Sequence, residues 1–205
     1  MLSLRPTMTA KRGSRPATGA GSLRIIAGRL RGSRLAVPDA PGLRPTPDRV
    51  RETLFNWLSP WIEGARCLDL YAGTGALGIE ALSRGARECV FVERDRALQQ
   101  QLRDNLARLK VDGASVVGAD ALDFLAGPPR GFDLVFLDPP FDADLWQEAA
   151  RRLERGWLAP SALIHVEAPA DANIALPPQW QLHRQARAGA VAHAVYRRVV
   201  VDPLS

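Results

Sequence analysis

"LDLYAGTGALGIEALSRGA", Leu68 to Ala86, carries Gly73-x-Gly75-x-x-Gly78 between an apolar run and a helical pattern. Glycines at such a junction let the chain turn sharply from strand to helix and pass close to a ligand. The stretch therefore predicts a parallel sheet whose first strand ends in a nucleotide-binding loop. The surrounding pattern agrees. Short apolar runs at 66–71, 88–93, 114–118, 132–138 and 161–167 read as strands, with helical patterns between them near 76–84, 95–110, 120–126 and 142–155. Strands alternating with helices make an α/β fold, a parallel sheet with helices on both faces. The tail "WQLHRQARAGAVAHAVYRRVVV" reads as two final strands forming a hairpin around Ala188 and Gly189.

Upstream of the sheet the pattern changes. Residues 1–22 are rich in Gly, Ser, Thr, Pro and Arg without periodicity and read as a disordered extension. "LRIIAGRLRGSRLAVP" (23–38) predicts a small β-hairpin studded with Arg24, Arg29, Arg31 and Arg34. In "LRPTPDRVRETLFNWLSPWI", Thr46 is the expected N-cap and Pro47 the first helical residue. Val50, Leu54, Trp57, Leu58 and Trp61 recur at helical spacing as an apolar stripe, and Pro60 is expected to end the helix. Arg44, Thr46, Asp48, Arg49, Arg51 and Glu52 form its polar entry. The expected organisation is thus an extension (1–22), a hairpin and helix (23–62), and an α/β domain (63–205).

The 205 residues are 46% apolar and 24% charged, enough for a real core. No apolar run approaches the roughly 18 residues of a membrane span, and no apolar stretch follows the basic N-terminus, so a cytoplasmic protein is expected. Cys67 and Cys89 each fall inside a strand-like run and read as buried, reduced thiols. His165, His183 and His193 are spread over the late strands without ligand-like spacing, so no metal is expected. Charge is uneven. Residues 1–51 hold eleven Lys or Arg and two acids, while residues 52–205 hold sixteen basic and twenty acidic residues. A basic front on a mildly acidic body suggests a polyanionic partner.

In a parallel sheet, ligands bind beyond the carboxyl ends of the strands. Asp69, Gly73 and Gly75 lie at the first such end. Glu93 ends the second strand, 18 residues past Gly75, where a carboxylate can accept both ribose hydroxyls of an adenosine cofactor. Asp120 follows the third strand, where it can accept the adenine amino group. These three acids suit NAD and S-adenosylmethionine equally. The fourth strand decides between them. "FDLVFLDPPFD" places Asp138, Pro139, Pro140 and Phe141 at its end. Two prolines leaving a strand hold the Asp138 carboxylate and the Pro139 carbonyl in place. Those two acceptors can grip an exocyclic –NH₂ on a base whose face stacks on Phe141. Hydrogen bonding that amine frees its lone pair for attack on a sulfonium methyl, an apparatus that hydride transfer does not need.

The chain resembles the bacterial 16S ribosomal RNA guanine-(N2)-methyltransferase family, the small-subunit rRNA methyltransferase D type. The resemblance runs from Leu23 to Val201 and rests on "RIIAGRLRG", "LRPTPDRVRETLFNWL", "LDLYAGTGALGIEALSRGA" and "LVFLDPPF" in that order. It implies a Rossmann-like class I methyltransferase fold, with a seven-stranded, mostly parallel sheet whose last strand is antiparallel. It implies S-adenosylmethionine as cofactor, held by Asp69, Gly73, Gly75, Glu93 and Asp120, with S-adenosylhomocysteine as product. It implies a catalytic loop of Asp138 to Phe141 and a guanine 2-amino group in 16S rRNA, within the small subunit or its assembly intermediate, as substrate. Arg24, Arg29, Arg31, Arg34, Arg44 and Arg49 are the expected RNA contacts of a monomeric enzyme. The alternative the D-P-P-F chemistry permits is a DNA or other RNA exocyclic-amine methyltransferase. A dehydrogenase and a catalytically silent RNA-binding module rank below it.

Overall fold

A computed structural model of the chain describes residues 21–37 and 46–200. The first twenty residues of the expected extension, and Arg44, lie outside them, whereas Gly21 and Ser22 already belong to a strand. That strand, β1 (Gly21–Arg24), pairs antiparallel with β2 (Arg34–Val37), giving the expected hairpin. Helix α1 spans Asp48–Ile62. The α/β pattern then runs β3 (Arg66–Asp69), α2 (Ala76–Ser83), β4 (Glu88–Glu93), α3 (Arg96–Arg108), β5 (Ala114–Gly118), α4 (Ala121–Phe124), β6 (Phe132–Leu137), α5 (Trp146–Leu153) and β7 (Leu158–Pro169). A closing hairpin of β8 (Trp180–Ala188) and β9 (Val191–Arg198) ends the described chain.

The seven strands order as β5-β4-β3-β6-β7-β9-β8. β3 to β7 are parallel, and β9, the last in sequence, is antiparallel to both β7 and β8. The order reverses between β3 and β6, so the loops after these strands open the crevice where ligands bind in such sheets. Residues on each face pack separately. On one face Leu54, Phe55, Ile79, Leu102 and Phe136 form a core with Leu23, Ile25 and Leu35 of the hairpin region, so residues 23–62 share a core with the sheet. On the other, Val90, Val135, Trp146, Leu153 and Ile164 pack with α4 and α5. No described helix is long and apolar enough to cross a membrane.

Helix α1 departs from expectation in three ways. Thr46 is buried but does not cap; its hydroxyl bonds Glu167 Oε2 at 3.2 Å, and Pro47 takes the N-cap position, its carbonyl accepting from Val50 and Arg51 at 3.0 Å each. Pro60 does not end the helix. A proline leaves the carbonyl four residues back without its donor. Here Ser59 Oγ donates to that carbonyl, Asn56 O, at 3.1 Å, and the helix runs on to Ile62. Finally, the buried stripe is Arg51, Leu54, Phe55, Leu58 and Ile62, while Trp61 is 41% exposed. The stripe differs from the expected one because Arg51 supplies part of the buried face. Its Nη2 donates to Arg24 O and to Asp48 Oδ1, both at 2.7 Å, which joins the helix to the hairpin.

Candidate active site

The turn after β3 is shaped by its glycines. Gly75 caps α2 with φ +75°, and a Cβ there would lie 2.4 Å from Leu102 Cδ1. Gly73 also has positive φ, +52°. Gly78 serves packing instead. A Cβ there would lie 2.3 Å from the Phe91 ring and 2.6 Å from Cys89 Sγ, so its bareness lets α2 press onto β4.

Three acids surround this turn, each engaged by backbone. Asp69 ends β3, buried, and its Oδ2 accepts from Gly78 N at 3.0 Å. Burial pushes its carboxyl up to about 7; the Gly78 N–H opposes that rise and the Glu93 charge adds to it. Glu93 ends β4 and accepts from Gly73 N and Asp95 N, both at 2.8 Å. It therefore pins the glycine turn to β4. A carboxylate has about four lone-pair sites, so acceptor capacity remains for a ribose. Asp120 N-caps α4, with Oδ1 accepting from Leu122 N at 2.8 Å. Its expected role had not included capping. A short strand-to-helix junction needs a capping acceptor, and Oδ2 is left for a second donor. Backbone held in the left-handed region beside carboxylates with spare acceptor sites fits an adenosine-bearing ligand.

Asp138 follows β6, half-buried, with Pro139 buried and Pro140 exposed. Its carboxyl is held well above the usual range by burial first, then by the charges of Glu167 and Asp69. Phe141 is 41% exposed, its ring 5.8 Å from that of Trp146. A large aromatic side chain left half-open beside two acceptors is an arrangement that can stack a base and bind its amino group.

Glu167, which nothing in its local sequence singles out, enters through register. β6 and β7 pair Phe136 with His165 and Leu137 with Val166, so Asp138 and Glu167 follow side by side. Burial pushes Glu167 up to about 7, with the Thr46 hydroxyl bond opposing. The expectation of no histidine cluster is also corrected. His165 of β7, Glu167 and His193 of β9 are buried together, because β7 and β9 pair Glu167 with His193. Burial lowers both imidazoles, His165 to about 3, where its neighbour His193 adds to the effect. Such a cluster was invisible in sequence because its members are 28 residues apart and meet only through antiparallel pairing. His183 stays apart, its ring against Trp61 at 5.3 Å.

The expected RNA contacts Arg24, Arg29, Arg31, Arg34 and Arg49 are exposed. Arg24 lies 3.8 Å from Asp48, and Arg34 Nη1 donates to Ser22 Oγ at 2.9 Å. Arg29 and Arg31 are not at the rim that carries Asp69, Glu93 and Asp138. Arg29 N and Leu30 N bond Ser83 O and Ser83 Oγ, which places their turn at the C-terminal end of α2, about 12 Å along the helix from the glycine turn.

Comparison with known proteins accords with this geometry. The family described as conserved hypothetical protein 95 matches residues 23–197. Ribosomal RNA small subunit methyltransferase D of Escherichia coli (strain K12) is 52% identical over 183 residues, spanning 88% of this chain and 92% of that protein. Its namesake in Haemophilus influenzae is 47% identical over 182 residues, spanning 86% and 94%. A solved structure of yhhF from Escherichia coli superposes with a TM-score of 0.82 at 51% identity, covering 87% of this chain and 99% of that one. Matched from the arginine hairpin to the last strand, the chain belongs to the conserved hypothetical protein 95 family, the methyltransferase family of ribosomal RNA small subunit methyltransferase D.

Proposed function

We propose that the chain methylates the 2-amino group of one guanine in 16S rRNA, presented by the small ribosomal subunit or an assembly intermediate. The observation that carries this reading is the Asp138–Phe141 loop, an acceptor pair and a half-exposed aromatic ring at the strand end next to the glycine turn. Asp69, Gly73, Gly75, Glu93 and Asp120 would hold S-adenosylmethionine, which supplies an electrophilic sulfonium methyl and leaves as S-adenosylhomocysteine. Phe141 stacks the target base, a contact worth about 1–3 kcal/mol. The Asp138 carboxylate and the Pro139 carbonyl accept the two amino protons, which localises the nitrogen lone pair toward the methyl carbon. As the N–C bond forms, the amine would become cationic, and the ionised Asp138 carboxyl, whose affinity for a proton burial raises, would take the surplus proton. The rigid Pro139–Pro140 pair keeps these acceptors aimed, so positioning contributes several kcal/mol.

On this reading residues 23–62 face the RNA and the remainder forms the catalytic domain, acting as a cytoplasmic monomer. The test incubates the purified protein and methyl-labelled S-adenosylmethionine with unmodified small subunits, naked 16S rRNA, tRNA and duplex DNA, followed by nucleoside mass spectrometry. N2-methylguanosine from subunits or their rRNA is the expected result. A methylated base in DNA or tRNA alone would replace the proposed substrate with the other amine-bearing class.

A further inference from the structure

His165 and His193 stand on neighbouring strands with their rings parallel, 5.9 Å between centroids and 5° between planes. Glu167 shares their face, and its Oε2 lies 3.3 Å from His193 Nδ1. One donor atom from each of the three residues lies within 4.8 Å of the others, and all three residues are buried. Neither ring nitrogen of His165 has a hydrogen-bond partner, although the residue has no exposed surface. His193 Nδ1 is likewise unpartnered, since its approach to Glu167 lacks hydrogen-bond geometry. Leaving buried polar groups unpaired is costly, so unpaired nitrogens on two neighbouring imidazoles beside a carboxylate call for a common partner.

A proton bridging His193 and Glu167 would serve that pair alone and leave His165 as it is. A cation engages all three residues, drawing one lone pair from each imidazole and from the carboxylate. We propose that His165, Glu167 and His193 bind a single divalent transition-metal ion, with zinc the best match to the donor set. Two imidazoles and one carboxylate are a zinc-binding combination that keeps a fourth position for water. Metal–ligand bonds of about 2.0–2.1 Å set tetrahedral donors about 3.4 Å apart. The His193–Glu167 spacing of 3.3 Å already meets that value, and a His165 nitrogen lies within 4.8 Å of both. Thr46 Oγ1, 3.2 Å from Glu167 Oε2, orients the carboxylate from outside, as partners of metal ligands do.

The site would fasten three segments distant in sequence, β7, β9 and, through Thr46, the entry to α1. It lies one strand from Asp138, so its charge would offset the crowding of Asp138 and Glu167 at the edge of the sheet. It is a fastening beside the reacting centre, and its occupancy is readable without RNA or S-adenosylmethionine.

The test uses the full chain, stripped with chelator and shown to be folded by circular dichroism. Titration with Co²⁺ alone should produce the visible bands of a tetrahedral nitrogen–oxygen site, saturating at one equivalent and displaced by Zn²⁺. Zn²⁺ should also raise the thermal midpoint. Thr46→Ala should weaken Co²⁺ binding by about 10–100-fold, and His193→Phe should abolish the bands. His183→Ala should leave them unchanged. A folded wild-type chain that takes up neither metal overturns the proposal even if the variants prove unstable. So does uptake that His193→Phe leaves intact, or uptake lost with His183→Ala.

Discussion

The carboxylate of Glu80, fully buried within α2, accepts the backbone N–H of Ile26 at 2.8 Å, and that of Ala27 at 3.0 Å, more than fifty residues earlier in the chain. Arg84 closes the arrangement from the other side, its Nε 2.7 Å from Oε1. The arginine-bearing turn is thereby tied to the helix that begins at the glycine turn. Glu80→Ala would leave two amides and a largely buried guanidinium without their acceptor. It should destabilise the protein by about 3–5 kcal/mol, read as a lowered urea midpoint at unchanged slope.

Asp138→Ala removes one of the two acceptors assigned to the target amine and leaves the glycine turn intact. Turnover should fall by about 10²–10³-fold, while S-adenosylmethionine affinity by calorimetry stays within a few fold. Equal loss of both would mean that Asp138 holds the cofactor and not the amine.

Replacing Arg29, Arg31 and Arg34 together with alanine tests RNA binding remote from the chemistry. For each arginine that pairs with a phosphate, its removal should lower the slope of log K against log salt by about one unit, with turnover at saturating RNA retained. If the slope holds, the RNA footprint does not reach the far end of α2.

Asp69 predicts a pH signature of the ligand-free fold. Its carboxyl titrates near 7 when folded and near 3.8 when unfolded, because burial strips its hydration. Below both values the folded and unfolded states are equally protonated. Between them the unfolded chain releases the proton while the fold retains it, so the Asp69 contribution falls as pH rises. The loss is on the order of 4 kcal/mol and is complete above the folded value. Asp69→Asn keeps an acceptor for Gly78 N and should flatten this slope in urea unfolding from about pH 4 to about pH 8.

Strand and helix periodicity was legible because it is local. β4 and β5 fall at the residues that alternation of apolar runs and turns marks out, and the closing hairpin turns beside Gly189. The edge acids were legible too, since a parallel sheet exports whatever ends each strand to one rim. Errors arose where a side chain served a distant partner. Thr46 bonds Glu167 instead of its own helix, and Arg51 is buried because Arg24 O and Asp48 meet it. A helical stripe scored by hydrophobicity cannot include such a residue.

The order of strands along the chain, the glycine turn and the D-P-P-F loop are properties of the sequence by itself, because each is a local pattern whose consequence is nearly independent of the rest of the chain. The neighbourhood of Asp138 and Glu167, the gathering of His165 with His193, and the docking of the arginine turn on Ser83 and Glu80 were decided only by the tertiary structure. Each depends on strand register or on a buried polar group finding its partner. One residue of register turns a strand's side chains to the opposite face, so no local pattern carries that information.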